Sequence, residues 1–179
     1  MKKLLLFLAI SVMMATTSFA QDENSGSATS QGAWVVEINT GFGESSGSYT
    51  GFSLYSRDGN TSWGVGGEAG YFILDDLALK AGLGYGDPGI DGVDGTFNWK
   101  FGAKYYVAGQ FPIAADVNGS SGNSYSPMWV GVQAAYAWFI ANNVSLEPGL
   151  RYGFGMNDDA GSGDFNIFSA FIGFNVYFN

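Results

Sequence analysis

Residues Val144 to Met156 read VSLEPGLRYGFGM. At every second position this stretch is apolar: Val144, Leu146, Pro148, Leu150, Tyr152, Phe154 and Met156. The intervening Ser145, Glu147, Gly149, Arg151, Gly153 and Gly155 are small or charged. A period of two is that of a β-strand, whose successive side chains point to opposite faces. One face is bulky and apolar along its whole length, and the other mixes glycine with charge. That pattern fits a strand with lipid outside and a packed polar lumen inside.

The same alternation recurs through the chain. It predicts strands at 34–42, 63–73, 77–85, 97–107, 111–117, 128–140, 144–156 and 165–178. Their connections alternate long and short. Leu74-Asp75-Asp76, Ala108-Gly109-Gln110 and Ala141-Asn142-Asn143 are tight, whereas 44–61, 86–95, 118–126 and 157–164 are longer and rich in Gly, Ser, Asn and Asp. Within the first long connection, 49–56 has the composition to extend a hairpin beyond the membrane. An even number of strands with alternating short turns and long loops is the pattern of a transmembrane barrel. The expected fold is therefore all-β: an eight-stranded antiparallel up-and-down transmembrane β-barrel. Aromatic residues support this. Trp34, Tyr71, Tyr105, Tyr136, Trp138 and Phe178 fall near the short-turn end of the apolar face. Trp63, Tyr85, Phe97, Trp99, Tyr152 and Phe154 fall near the other end, giving two girdles.

Ahead of the strands, residues 1–20 have the layout of a signal peptide. Lys2 and Lys3 precede an apolar run from Leu4 to Ala15, and Ser18-Phe19-Ala20 offers a cleavage site after Ala20. Residues 21–32 are polar and aperiodic and read as a disordered periplasmic leader. The barrel domain is expected over 33–179. Loss of Lys2 and Lys3 takes the net charge from −9 to −11, which disfavours nucleic acid as a partner.

The polar face holds Glu37, Glu68, Asp116 and Glu147 with Lys80, Lys100, Lys104 and Arg151. Counted by depth along the strands, Glu37, Lys80, Lys104 and Glu147 form one layer, and Glu68, Lys100, Asp116 and Arg151 a second. Each layer is neutral. Buried charges need partners, and an eight-strand interior is just wide enough for side chains to fill. The expectation is a lumen plugged by a polar charge network, with Arg151 reaching Glu37, Glu68 or Glu147. The alternative is an ion or solute pathway.

Catalysis is not expected. The chain has no histidine and no cysteine, which removes Ser-His and Cys-His nucleophile pairs and any disulfide. Each lumen carboxylate has a nearby cationic candidate rather than an acid/base partner. The stretch GFGESSG at 41–47 lacks the lysine and following helix of a phosphate loop. The loop GDPGIDGVDG at 86–95 carries oxygen ligands of the type Ca²⁺ takes, without the spacing of an EF-hand. No cofactor or metal is assigned.

The segments KFGAKYYVAGQFPIAA (100–115) and FIANNVSLEPGLRYGFG (139–155) resemble strand–turn–strand segments of small outer-membrane barrels. The chain from 33 to 179 thus resembles the eight-stranded barrels of the OmpA/OmpX type and the generic outer-membrane β-barrel domain proteins of Gram-negative bacteria. In the last strand, Gly173, Val176 and Phe178 match the signal such barrels present to their insertion machinery. The resemblance implies a monomer in the cell outer membrane, in contact with outer-membrane lipids and lipopolysaccharide, with both termini periplasmic. The favoured reading of the chain's role is structural or surface-interaction. A narrow porin-like channel and a soluble lipocalin-like barrel are the competing readings. The second requires apolar residues inside, opposite to the pattern here.

Overall fold

The structure is a computed structural model and describes residues 27–42, 51–57, 59–122, 125–162, 164 and 166–179. The expected signal peptide lies outside the described residues, as do residues 21–26 of the expected leader.

Among the described residues ten strands form one antiparallel sheet: β1 (Trp34–Phe42), β2 (Gly51–Arg57), β3 (Asn60–Leu74), β4 (Leu77–Asp87), β5 (Thr96–Val107), β6 (Phe111–Ser121), β7 (Met128–Ala135), β8 (Trp138–Ala141), β9 (Val144–Gly155) and β10 (Asn166–Phe178). They make eight staves. The order β1-β10-β9-β7-β6-β5-β4-β3 closes through pairing of β3 with β1. The strand β8 continues the line of β7 against β9, and β2 is an additional partner for the long-loop half of β3.

The register fixes the shape. From Glu37, pairing runs one way through Glu68, Gly82, Lys100, Asn118 and Trp129 to Gly155. The other way it runs through Asn175 to Ser145. One circuit therefore returns to β9 displaced by the ten residues between Ser145 and Gly155. At ~3.3 Å per residue and ~4.8 Å per strand, that displacement tilts the strands by about 40°, within the barrel range.

Side chains alternate as expected, and the exterior is apolar. Leu79, Phe101, Val132, Leu150 and Ile172 are 41–58% exposed, while Glu37, Glu147 and Asn175 are 0% exposed. Rings pair along the two rims, Trp34 with Tyr71 at 5.0 Å and Trp63 with Tyr85 at 5.7 Å. Large lumen side chains lie over glycines on neighbouring strands, as Phe171 does over Gly149. A Cβ on Gly149 would come within 2.7 Å of the Phe171 ring.

Four details depart from the alternation reading. First, β6 runs on to Ser121. Residues 118–121 are polar like a loop, but their polar side chains face a polar lumen: Asn118 and Ser120 are buried, and Ser120 Oγ donates to Asn98 Oδ1 at 2.6 Å. Second, β3 begins at Asn60 rather than 63, because residues 51–57 form β2 and pair with it.

Third, the stave expected over 128–140 breaks at Tyr136 and Ala137. By register Tyr136 faces Pro148, which has no N–H to return. Tyr136 N–H still donates to the Pro148 carbonyl at 3.0 Å, and Ala137 N–H turns to the Gln110 carbonyl at 2.8 Å.

Fourth, residues 27–32 are not a disordered leader. Ser30 N–H donates to the Ser27 carbonyl and Ala33 N–H to the Ser30 carbonyl, closing two consecutive turns. Ala28, Thr29 and Ala33 are buried against the short-turn end of the barrel.

Candidate functional site: the lumen charge network

The eight charged side chains expected in the lumen are all there and all buried. Each sits on a lumen-facing position of a stave: Glu37 on β1, Glu68 on β3, Lys80 on β4, Lys100 and Lys104 on β5, Asp116 on β6, Glu147 and Arg151 on β9.

They form one continuous chain of alternating sign. Glu147 pairs with Lys104, and Lys104 Nζ lies 2.8 Å from Glu37 Oε2. Lys80 Nζ contacts the same Glu37 oxygen at 2.5 Å and Glu68 Oε2 at 2.7 Å. Lys100 Nζ lies 2.7 Å from Glu68 Oε1 and 3.9 Å from Asp116 Oδ2. Arg151 ends the chain on Asp116, with Nη1 2.6 Å from Oδ2 and Nη2 2.7 Å from Oδ1. The two neutral layers are both present, and Lys80 joins them.

The expected contact of Arg151 with Glu37, Glu68 or Glu147 does not occur. Its register partner is Gln133, and beyond it Gly131 on β7 pairs with Asp116 on β6. Gly131 presents no side chain, so the guanidinium crosses it to Asp116; a Cβ there would sit 1.9 Å from Nη2. Arg151 Nη1 also donates to Gln133 Oε1 at 3.2 Å. The planar fork meets both carboxylate oxygens at once, the geometry arginine supplies and lysine does not.

Neutral groups missed by a reading confined to charge complete the network. Glu147 Oε1 accepts from Tyr106 Oη at 2.9 Å, Tyr177 Oη at 3.1 Å and Ser145 Oγ at 3.2 Å. Asn39 Nδ2 donates to Glu37 Oε1 at 2.8 Å, and Asn118 Nδ2 to Asp116 Oδ1 at 2.8 Å. The signal was available: Ser145, Asn39, Asn118, Tyr106 and Tyr177 share the polar parity of their strands. Such donors stabilise carboxylates that low-dielectric surroundings would otherwise penalise.

Below the charges is an aromatic floor. Phe72, Tyr106 and Tyr177 pack with centroids 6.0–6.4 Å apart, and Phe139 lies 5.6 Å from Tyr177. The floor residues are tied to the rim by a repeated bond. Phe72, Tyr106, Ala137 and Tyr177 donate their N–H groups to the carbonyls of Ala33, Asp76, Gln110 and Asn143. Those four acceptors are the residues directly preceding β1, β4, β6 and β9.

A cavity beside Glu68, Lys80, Lys100, Asp116 and Gln133 measures about 10 Å³, room for about one water. Among the described residues, the loop acids do not gather into a cluster of three that could hold a metal ion.

No family model and no curated protein matches the chain. Solved structures do. The N-terminal β-barrel domain of Pseudomonas aeruginosa OprF aligns over 83% of this chain and 98% of its own, with a TM-score of 0.52 and 17% identity. Neisserial surface protein A aligns over 83% and 97%, with a TM-score of 0.45 and 15% identity. The Yersinia pestis outer membrane protein Ail aligns over 83% and 100%, with a TM-score of 0.44 and 11% identity. The likeness to the OprF domain is one of fold: this chain is similar to a small, closed, eight-stranded antiparallel transmembrane barrel, as the alternation reads.

Proposed function

We propose that the chain is an integral outer-membrane barrel with a structural or surface-interaction role and a sealed lumen. The observation that carries this is the unbroken ion-pair chain from Glu147 to Arg151, with a cavity of only about 10 Å³ beside it and an aromatic floor beneath. Paired charges filling the bore leave little volume for a hydrated ion. The apolar exterior and two aromatic rims fit the hydrocarbon band and interfaces of a bilayer. Placing the short-turn end in the periplasm puts both termini there. The C-terminal strand with Gly173, Val176 and Phe178 is the element offered to insertion machinery. The exterior contacts outer-membrane lipid and lipopolysaccharide as a monomer. No enzymatic activity is assigned.

The test is planar-bilayer recording of the refolded chain. The expected result is no conductance above the lipid baseline. A reproducible, ion-selective conductance would replace this reading with the narrow porin-like channel. Cell fractionation tests the location, with recovery in the outer-membrane fraction expected.

A further inference from the structure

We propose that residues 27–33 are a strap that closes the short-turn mouth of the barrel and controls solvent access to the aromatic floor. The inference does not depend on whether the lumen conducts.

The strap is built from specific contacts to a single hairpin. Gly32 N–H donates to the Phe72 carbonyl at 2.9 Å, and Phe72 N–H returns a bond to the Ala33 carbonyl at 2.9 Å. Gln31 N–H donates to Asp75 Oδ1 at 2.8 Å, and Gln31 Nε2 to the Ile73 carbonyl at 2.9 Å. Asp76 is the hub. Its N–H donates to the Thr29 carbonyl at 2.8 Å, its carboxylate accepts from the Thr29 hydroxyl, and its carbonyl accepts from Tyr106 N–H at 2.9 Å. Asp76 holds a φ of 64°, a left-handed conformation that costs a non-glycine residue energy. These bonds offset that cost and place the residue under both the strap and the floor.

Position and burial say what the strap does. Ala28 and Ala33 belong to the same apolar cluster as Val35, Phe72, Ala78, Tyr106, Ala137 and Tyr177. Thr29 is 1% exposed, although the segment is polar and aperiodic in sequence. Phe72, Tyr106 and Tyr177 lie at the short-turn end of the barrel, and they are nonetheless 0–2% exposed. The segment also closes the thinnest seam. The registered pairing of β1 with β3 runs only from Trp34↔Tyr71 to Glu37↔Glu68, and the strap adds two further backbone bonds beyond Trp34. The hydrogen bonds that tie Thr29, Gln31 and Gly32 to the barrel all go to residues 72–76, outside the registered β1–β3 pairing, so their loss leaves that pairing in place. That makes the strap a lid rather than a ninth strand.

The absence of cysteine gives a clean test. A single reporter, Ala78→Cys, is placed on the floor in refolded protein, and its reaction with a small charged thiol reagent is timed. The same is done with Thr29→Ala and Gln31→Ala added, which remove the two side-chain bonds these residues donate to the hairpin. The proposal expects slow labelling with the strap intact and acceleration of at least about tenfold in the loosened protein, since each bond is worth roughly a fivefold change in an opening equilibrium. Both proteins should keep the compact, heat-modifiable migration of a folded barrel. Should the reporter disturb the floor, amide exchange in cysteine-free protein is the second measurement. Exchange at Phe72 and Asp76 should rise by a similar factor on Thr29→Ala and Gln31→Ala substitution, while that at Ala81 on β4 stays unchanged. Fast labelling with the strap intact, or equal labelling and exchange in the two proteins, overturns the proposal.

Discussion

Arg151 reaches across Gly131 to hold Asp116 at two points, 2.6 and 2.7 Å. Arg151→Ala leaves Asp116 with Lys100 at 3.9 Å as its remaining cation. Breaking one partner of a buried pair costs about 3–5 kcal/mol. Urea unfolding in lipid vesicles should show that loss. Replacing both partners together, Arg151→Met with Asp116→Leu, should recover more than half of it, because no buried charge is then left alone.

Gly131 is required by that crossing. Gly131→Ala places a methyl where Nη2 now lies. Overpacking of this kind costs about 1–3 kcal/mol. The same unfolding measurement should give a loss for Gly131→Ala that largely disappears in the Arg151→Met, Asp116→Leu background.

The faces of β9 make a separate prediction. Leu150 points outward at 52% exposure, next to inward-facing Arg151. Leu150→Arg should destabilise the barrel in vesicles by about 2–4 kcal/mol, the range for arginine near the bilayer midplane. An unchanged folding equilibrium would contradict the assignment of this face to lipid.

Tyr106 tests the neutral part of the network. Its hydroxyl donates to Glu147 at 2.9 Å within a fully buried setting. Tyr106→Phe keeps the ring in the floor and removes that donor together with its 2.9 Å hydroxyl contact to Tyr177. A hydrogen bond to a charged group contributes about 1.5–3 kcal/mol, and the loss should fall in that range with no change in the mobility of the folded barrel.

What alternation can and cannot say is visible at these residues. The parity of Arg151, Glu147 and Asp116 follows from counting by twos, and so does the membership of all eight lumen charges. Their partners do not follow. Depth counted along separate strands ignores the ten-residue stagger of the closed sheet, and it ignores which positions are empty. Arg151 goes to Asp116 because Gly131 leaves the way open. Polarity also misleads near the rims: Asn118 and Ser120 look like loop residues, yet they face a lumen that is itself polar. The turns over 27–33 carry no pattern at all, since their stability comes from backbone groups of Phe72, Ile73 and Asp76 and from the carboxylates of Asp75 and Asp76.

The ion-pair chain begins on Glu147 and ends on Arg151, so one strand owns both of its ends. Alternation fixes strand register only up to parity: a one-residue slip exposes the wrong face, but a two-residue slip does not. For β9 a two-residue slip would keep every apolar side chain outside while moving Glu147 from Lys104 and Arg151 from Asp116 together. The charges thus discriminate among registers that the hydrophobic pattern treats as equivalent, and they do so twice on the same strand. The register observed is the one in which both ends of β9 find an opposite charge, Glu147 on Lys104 and Arg151 on Asp116.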